Sequence, residues 1–347
     1  MGVTYKSILW NRNKKKYDVI LAVGVLFLVS SFIVFQIIFH PTTTIETIII
    51  RASAFCAIVL LHIILTIGPL ARIDVRFLPL LYNRRHLGVT MFFLALIHGV
   101  FSIVQFHAGG DTNPLVSVFV SNKNYQEISQ FPFQILGFLA LMILLLMAAT
   151  SHDFWLKNLT PRIWKTLHML VYLAYALIIT HVALGTLQYE ESPLYWILLT
   201  GGFLLIAGLH LYSGFLDNQK LRSNEDRLQK NGFVKVGRAN EIEENRAKIF
   251  FIRGENIAIF KYNGNLSAVN NVCRHQLGPL GEGKIIEGCI TCPWHGYQYL
   301  PANGQSPPPF HEKVSTYHLQ INGGELWLNP NPTLPGTFVE PAKIEEL

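Results

Sequence analysis

Charge is scarce in this chain: only 14% of its 347 residues are Asp, Glu, Lys or Arg, while 50% are hydrophobic. That balance excludes an ordinary soluble domain and points to membrane spans. Cysteine is scarce as well. Cys56, Cys273, Cys289 and Cys292 are the whole complement, and they form no even, well-spaced set of the kind that staples a disulfide framework. No G-x-G-x-x-G opens a strand–helix unit, so a dinucleotide-binding fold is not indicated. No internal repeat is visible.

What the chain has instead is long apolar runs. Six fall at about 17–39, 46–68, 86–106, 132–150, 163–187 and 194–216. Each is near the ~20 residues that cross a ~30 Å hydrocarbon core, so a lipid bilayer is the first partner expected. Pro41, Pro69, Pro114, Pro132, Pro161 and Pro193 stand at or near the run ends, where a helix boundary costs little. The first run follows Lys14, Lys15 and Lys16. It is longer than a signal-peptide core and reads as a retained helix.

The net charge of +6 is distributed one-sidedly. Arg12, Lys14 to Lys16, Arg72, Arg76, Arg84, Arg85, Lys157, Arg162, Lys165, Lys220 and Arg222 gather on one side of the expected bundle. The other side has Lys123 with Asp111, Glu127, Glu190 and Glu191. Basic loops face the cytoplasm, so the expectation is a multi-pass protein of the cell (inner) membrane with both termini cytoplasmic. Topology then explains the basic excess, and no nucleic acid partner is expected.

Beyond Gly214 the character changes. A polar link, LDNQKLRSNEDRLQKNG, leads to FVKVG, KIFFI, NIAIFKY, LSAVNN, YHLQI and ELWLN. These have strand composition and are separated by turn signals such as YNGN and INGGE. The expected organisation is a six-helix membrane domain over 1–216, a linker over 217–232, a small all-β domain over 233–331 and an irregular tail over 332–347.

Two Cys-His pairs lie in that β domain: Cys273-x-His275 and Cys292-x-x-His295. A tetrahedral zinc site uses the same ligand types. The fuller pattern, CRHQLGPL followed by CPWHGYQY, resembles the Rieske family. That resemblance implies one [2Fe–2S] cluster, with Cys273 and Cys292 on one iron and His275 and His295 on the other, a ligand set that raises the potential above all-Cys ferredoxins. Two departures separate the chain from the Rieske proteins of respiratory complexes. Gly278 and Trp294 stand where those carry a disulfide, and Tyr297 stands where they carry a serine. Fewer hydroxyl bonds to the cluster, and hence a lower potential, are expected. The site is more similar to Rieske ferredoxins that feed oxygenases. Cys289 is expected to be a packed thiol.

Five histidines, His62, His98, His168, His181 and His210, fall inside expected spans. An ionisable group in hydrocarbon is a functional hypothesis by default, either haem ligation or a proton path. His98 and His181 both sit toward the outer half of their helices, so they can clamp one iron from opposite sides. His168 lies nearer the cytoplasmic face. The 13-residue offset between His168 and His181 is about 20 Å along a helix but leaves the side chains about 140° apart. Two haems would have to approach different sides, or the helix must deviate. Arg51, inside the second run, either snorkels to the interface or meets a haem propionate.

The RRHLGVTMFFLALIH run at 84–98 and the His-x12-His of the fifth run resemble the ferric reductase-like transmembrane domain, over roughly 46–216. The resemblance implies one or two b-type haems between the third and fifth helices, with His98, His168 and His181 as ligands. Relatives carry a second histidine near the start of the third helix, where this chain has Arg84. The partner of His168 is therefore open among His62, His86, His210, a methionine or no ligand, with His62 the candidate carried forward.

The combination implies a membrane-bound electron-transfer protein, an oxidoreductase or a component of one. It would pass single electrons between a cytoplasmic cluster and haem b, to or from quinone or an outer acceptor, with a cytoplasmic electron carrier as partner. Alternatives are a terminal reductase of ferric ion or another small oxidant, and a membrane-anchored Rieske ferredoxin feeding an oxygenase.

Overall fold

The computed structural model describes residues 12–152, 155, 159, 161–188, 193–222, 229–230, 232–275, 277–294 and 296–344. His295 and the loop charges Lys157, Glu190 and Glu191 lie outside the described residues. The chain divides into two compact units, one ending at Leu211 and one beginning at Tyr212.

The first unit is helical. Its helices are α1 (Arg12–Phe39), α2 (Ile45–Ile73), α3 (Leu78–His107), the short α4 (Pro114–Val120) and α5 (Phe133–Thr150). Then follow α6 (Pro161–Met169), α7 (Val171–Leu184), α8 (Pro193–Trp196), a π-helical turn at Ile197–Gly201 and α9 (Gly202–Arg222). Among the described residues, six stretches are long and apolar enough to cross a membrane: Lys15–Phe39, Ile45–Ile73, Asn83–His107, Phe133–Thr150, Ile163–Gln188 and Ile197–Leu216. The protein is thus a multi-pass membrane protein set in a lipid bilayer, and the spans fall within a few residues of the apolar runs.

Local chemistry explains several boundaries. Thr44 caps α2 by accepting from the Thr47 N–H at 3.4 Å, and Asn113 caps α4 by accepting from the Leu115 N–H at 2.9 Å. Proline opens α4, α6 and α8, where its missing N–H costs nothing. Apolar side chains such as Ile20, Phe27 and Leu211 remain exposed, as expected of surfaces that meet lipid. The most extensive helix pairings are α2 with α3 and α5 with α7. Leu60, Leu61, Leu65, Leu87, Met91, Leu144 and Ala174 meet in the core between them.

The fifth span is interrupted. Helix α6 ends at Met169 and α7 begins at Val171, with the Leu170 N–H turned to the Leu167 carbonyl at 3.1 Å, a tightened three-residue step. The step lies between His168 and His181 in the chain.

Among its described residues the second unit carries twelve short strands. The first six are β1 (Gln229–Lys230), β2 (Phe233–Arg238), β3 (Ala247–Ile252), β4 (Glu255–Tyr262), β5 (Asn265–Asn270) and β6 (Lys284–Ile286). The rest are β7 (Cys289–Thr291), β8 (Gln298–Tyr299), β9 (Thr316–Tyr317), β10 (Leu319–Asn322), β11 (Glu325–Leu328) and β12 (Ala342–Lys343). They form antiparallel sheets ordered β1-β2-β11-β10, β12-β5-β4-β3 with β9 also on β5, and β6-β7-β8. Alternation such as that of β2 sends Val234 and Val236 into a core with Ile257, Ile259, Leu326 and Leu328.

Two boundaries differ from expectation. Residues 217–222, expected as the start of the linker, continue helix α9. The expected irregular tail is stitched to the sheet: Thr333 N–H bonds the Thr316 carbonyl at 3.0 Å, Val339 N–H bonds Ala302 at 2.8 Å, and Ala342 pairs with Leu266. Its prolines masked a two-residue strand, because pairing with the free edge of β5 depends on a partner more than seventy residues upstream.

Candidate metal centres

The two Cys-His loops are built on one plan. Cys273 N–H bonds the Gly278 carbonyl and Leu277 N–H bonds the Cys273 carbonyl, both at 2.8 Å. In the second loop Cys292 N–H bonds Tyr297 at 2.8 Å and Gly296 N–H bonds Cys292 at 2.9 Å. The fifth residue of each loop takes positive φ, +59° at Leu277 and +72° at Gly296. Glycine adopts that conformation freely, while at Leu277 it costs roughly 1–3 kcal/mol that the closing bonds must offset. A side chain at Gly278 would lie 3.0 Å from both the Cys292 Sγ and the Trp294 ring. Glycine here lets the loops touch, which carries Cys292 against the loop that holds Cys273 and His275.

Cys273 and Cys292 are each 1% exposed and are not joined in a disulfide. The Tyr299 hydroxyl accepts from the Arg274 N–H at 2.9 Å and stands 3.4 Å from the Cys273 Sγ, toward which it can donate. Burial, with Cys273 adding to it, pushes the Tyr299 phenol far above its ordinary range, so it stays protonated as a donor. This hydroxyl was not singled out in the sequence, and it supplies a bond that the absent serine suggested was missing. Tyr297, at that serine position, points its hydroxyl elsewhere, donating to the Glu312 carboxylate. Its ring lies parallel to the His275 imidazole, 4.7 Å between centroids and 9° between planes. Burial lowers the His275 pKa and keeps the ring neutral, the form that binds metal, with Glu312 acting in the opposite sense. Two thiols on touching loops, a neutral imidazole and a donor hydroxyl are the donor types that a [2Fe–2S] cluster takes. Cys289 is buried in β7; burial, and after it Glu287, raises its pKa, leaving an inert packed thiol.

In the membrane unit His98 on α3 and His181 on α7 face each other, with ring centroids 6.3 Å apart and planes at 76°. The His98 Nδ1 is bonded to the Ile50 carbonyl at 3.1 Å and the His181 Nδ1 to the Phe133 carbonyl at 2.9 Å. A carbonyl only accepts, so both Nδ1 atoms carry the proton and both Nε2 atoms are left as ligands, the arrangement seen at metal-bound histidines. Two metal–nitrogen bonds of about 2 Å, plus roughly 1 Å from each nitrogen to its ring centre, sum to about 6 Å. The spacing therefore fits one iron between the rings. Gly137 makes room: a Cβ there would lie 2.7 Å from the His181 ring.

The other candidates are not brought to this pair. His168 stacks on Trp164 at 3.9 Å, bonds the Trp164 carbonyl through Nδ1 at 3.1 Å and meets the Ser151 hydroxyl through Nε2 at 3.4 Å. Arg84 lies close enough to act on it through its charge. His62 faces elsewhere, edge-on to Tyr175 at 5.7 Å and pressed onto Gly202, where a Cβ would lie 2.2 Å from its ring. His86 pairs with Asp18 at 2.5 Å, and His210 with Tyr172 at 3.1 Å.

Residues 51–179 match the family of ferric reductase like transmembrane components, and residues 232–318 match the Rieske [2Fe-2S] domain. The chain joins a ferric reductase-like segment to a Rieske domain. Among relatives, the ferric reductase-like segment is 30% identical over 133 residues to the haem-binding subunit of a protein-methionine-sulfoxide reductase of Polaromonas naphthalenivorans, covering 38% of this chain and 56% of that subunit. The Rieske domain is 27% identical over 95 residues to an anthranilate 1,2-dioxygenase ferredoxin subunit of Burkholderia cepacia, covering 27% of this chain and 88% of the subunit. It is also 31% identical over 91 residues to a cholesterol 7-desaturase of Ciona intestinalis, covering 25% of this chain but only 20% of the desaturase.

Proposed function

We propose that the protein carries single electrons between a Rieske site at Cys273, His275, Cys292 and His295 and a b-type haem site at His98 and His181, exchanging them with quinone or an acceptor on the outer side. The observation that carries this reading is the His98–His181 pair, 6.3 Å apart with both Nδ1 atoms anchored on backbone carbonyls. When bound, the cluster and haem supply the one-electron chemistry. The chain supplies position and tuning. Ile50 and Phe133 hold the imidazole tautomers, Gly137 leaves the ring its space, and Tyr299 aims a hydroxyl at the Cys273 sulfur. The working units are the membrane domain to about residue 216, a linker to about 232 and the Rieske domain beyond. The one-sided basic loops support a cell (inner) membrane location with both termini and the Rieske domain in the cytoplasm.

His168 is the candidate ligand of a second haem. Its Nδ1 bonds the Trp164 carbonyl at 3.1 Å and its Nε2 meets the Ser151 hydroxyl at 3.4 Å. His62 is turned to Tyr175 and Gly202, which argues against its ligating with His168. A second reading, a membrane-anchored ferredoxin feeding an oxygenase, is favoured by the likeness to a dioxygenase ferredoxin over 88% of that subunit.

Optical and EPR spectra of the detergent-purified protein, with iron and haem quantified, test the proposal. A Rieske signal with low-spin b-haem is expected. One haem per cluster assigns it to His98 and His181, while two implicate His168. A Rieske signal without haem overturns the transmembrane path and leaves the anchored ferredoxin.

A further inference from the structure

Tyr297 and Tyr299 lie two residues apart, with ring centroids 5.5 Å from each other, yet address different residues of the Rieske loops. Tyr299 turns its hydroxyl toward the Cys273 sulfur. Tyr297 lays its ring on His275 and sends its hydroxyl to the Glu312 carboxylate. The Tyr297 ring is 3% exposed and is held edge-on by Phe310 at 5.1 Å. Glu312 is fixed in turn: its carboxylate also accepts from the His311 N–H at 3.1 Å, and its carbonyl accepts from the Ser306 N–H at 2.9 Å. A negative charge is thus pinned on the imidazole side of the metal site by a phenol that touches the ligand itself.

Resting on the Rieske reading above, we infer that Glu312, acting through Tyr297, is a positioning residue that lowers the reduction potential of the cluster. Adding one electron makes an iron–sulfur centre more negative, so a fixed carboxylate nearby opposes reduction, the more so in an enclosed, poorly solvated site. Donation from the phenol to the carboxylate also enriches the Tyr297 ring face that lies on His275, which acts in the same sense. Tyr299 acts in the opposite sense, because a hydroxyl donating to a cysteine sulfur stabilises the added charge. The two tyrosines therefore set the potential from opposing directions.

EPR-monitored redox titration of the full-length protein in detergent tests this. Glu312→Gln is expected to raise the midpoint so that the reduced-to-oxidised ratio at a given potential rises about tenfold, equivalent to 59 mV for one electron. Tyr297→Phe keeps the ring on His275 but frees the carboxylate. It should shift the midpoint the same way by less, and Glu312→Gln should then add little, the mark of two groups acting as one. Glu312→Asp should return the midpoint toward the unmodified value. Unchanged midpoints in both single variants, with the Rieske signal intact, overturn the inference. So does a purely structural outcome, in which cluster content falls while the remaining clusters keep their potential. If Glu312→Gln holds no cluster, Tyr297→Phe decides the matter. Absence of a Rieske signal in the unmodified protein would instead be a failure of the metal reading.

Discussion

The two halves of the molecule hold histidines by different means. In the Rieske domain the loops do the work: closing backbone bonds and positive-φ residues at 277 and 296 shape the turn, and side chains follow. In the membrane segment four histidines are instead aimed by a carbonyl that their Nδ1 atoms meet. His168 and His210 bond carbonyls four residues back on their own strand of helix, Trp164 and Ile206. His98 and His181 reach across to Ile50 and Phe133 on other helices. A long-range anchor fixes a ring relative to a neighbouring helix, which is what a site shared between helices needs. A local anchor fixes it only relative to its own.

The sharpest break of that comparison is loss of a ligand on one side only. Cys292→Ser should abolish the Rieske EPR signal while leaving the haem spectrum in place; loss of both would show that the units do not assemble independently. His181→Leu should do the reverse, removing the haem absorbance and sparing the cluster, whereas His62→Leu should leave the haem bound by His98 and His181 unchanged in difference spectra.

Smaller effects test how tightly each half is packed. Gly137→Ala drives a methyl against His181 and should destabilise by about 1–3 kcal/mol in thermal unfolding, with reduced haem content. Gly24→Ala, with nothing within 4 Å, serves as its neutral counterpart. On the other side, Tyr299→Phe removes the acceptor of the Arg274 N–H and should cost roughly 0.5–1.5 kcal/mol, read by the melting of the Rieske domain.

The smallest effect concerns pH. The Lys248 hydrogen bond holds the Glu241 carboxyl below its ordinary pKa. A depressed folded pKa contributes stability at pH values above the ordinary carboxylate range and loses it as pH falls through the folded value. Because the pair is largely exposed, the loss should stay under about 1 kcal/mol, and Lys248→Met should flatten the acid limb of the melting curve by no more than that.

Much of this was legible in the residues. The six spans follow from run length alone, since only about 20 apolar residues cross a bilayer. The Rieske domain was legible through the resemblance that CRHQLGPL and CPWHGYQY carry, and residues 232–318 match that domain. Strands β2 to β5 and β11 follow from alternation. Other features were illegible because each depends on a distant partner. Helix α7 starts afresh after Leu170 although nothing in the local composition marks a stop. His62 reads as a candidate ligand by depth, but its direction is set by Gly202, 140 residues on. Tyr299 reads as a strand residue, and only the folded loops bring its hydroxyl to Cys273. The strand at Ala342–Lys343 is hidden among prolines and exists because β5 offers a free edge.

The sequence by itself therefore determined the residue types on offer as ligands and the apolar spans, because residue type, spacing and hydrophobic length act locally. The tertiary structure alone decided which histidines face each other, which tyrosine serves the cysteine and which carboxylate stands behind His275. Those are matters of direction, and in a packed protein a side chain's direction is fixed by neighbours far along the chain.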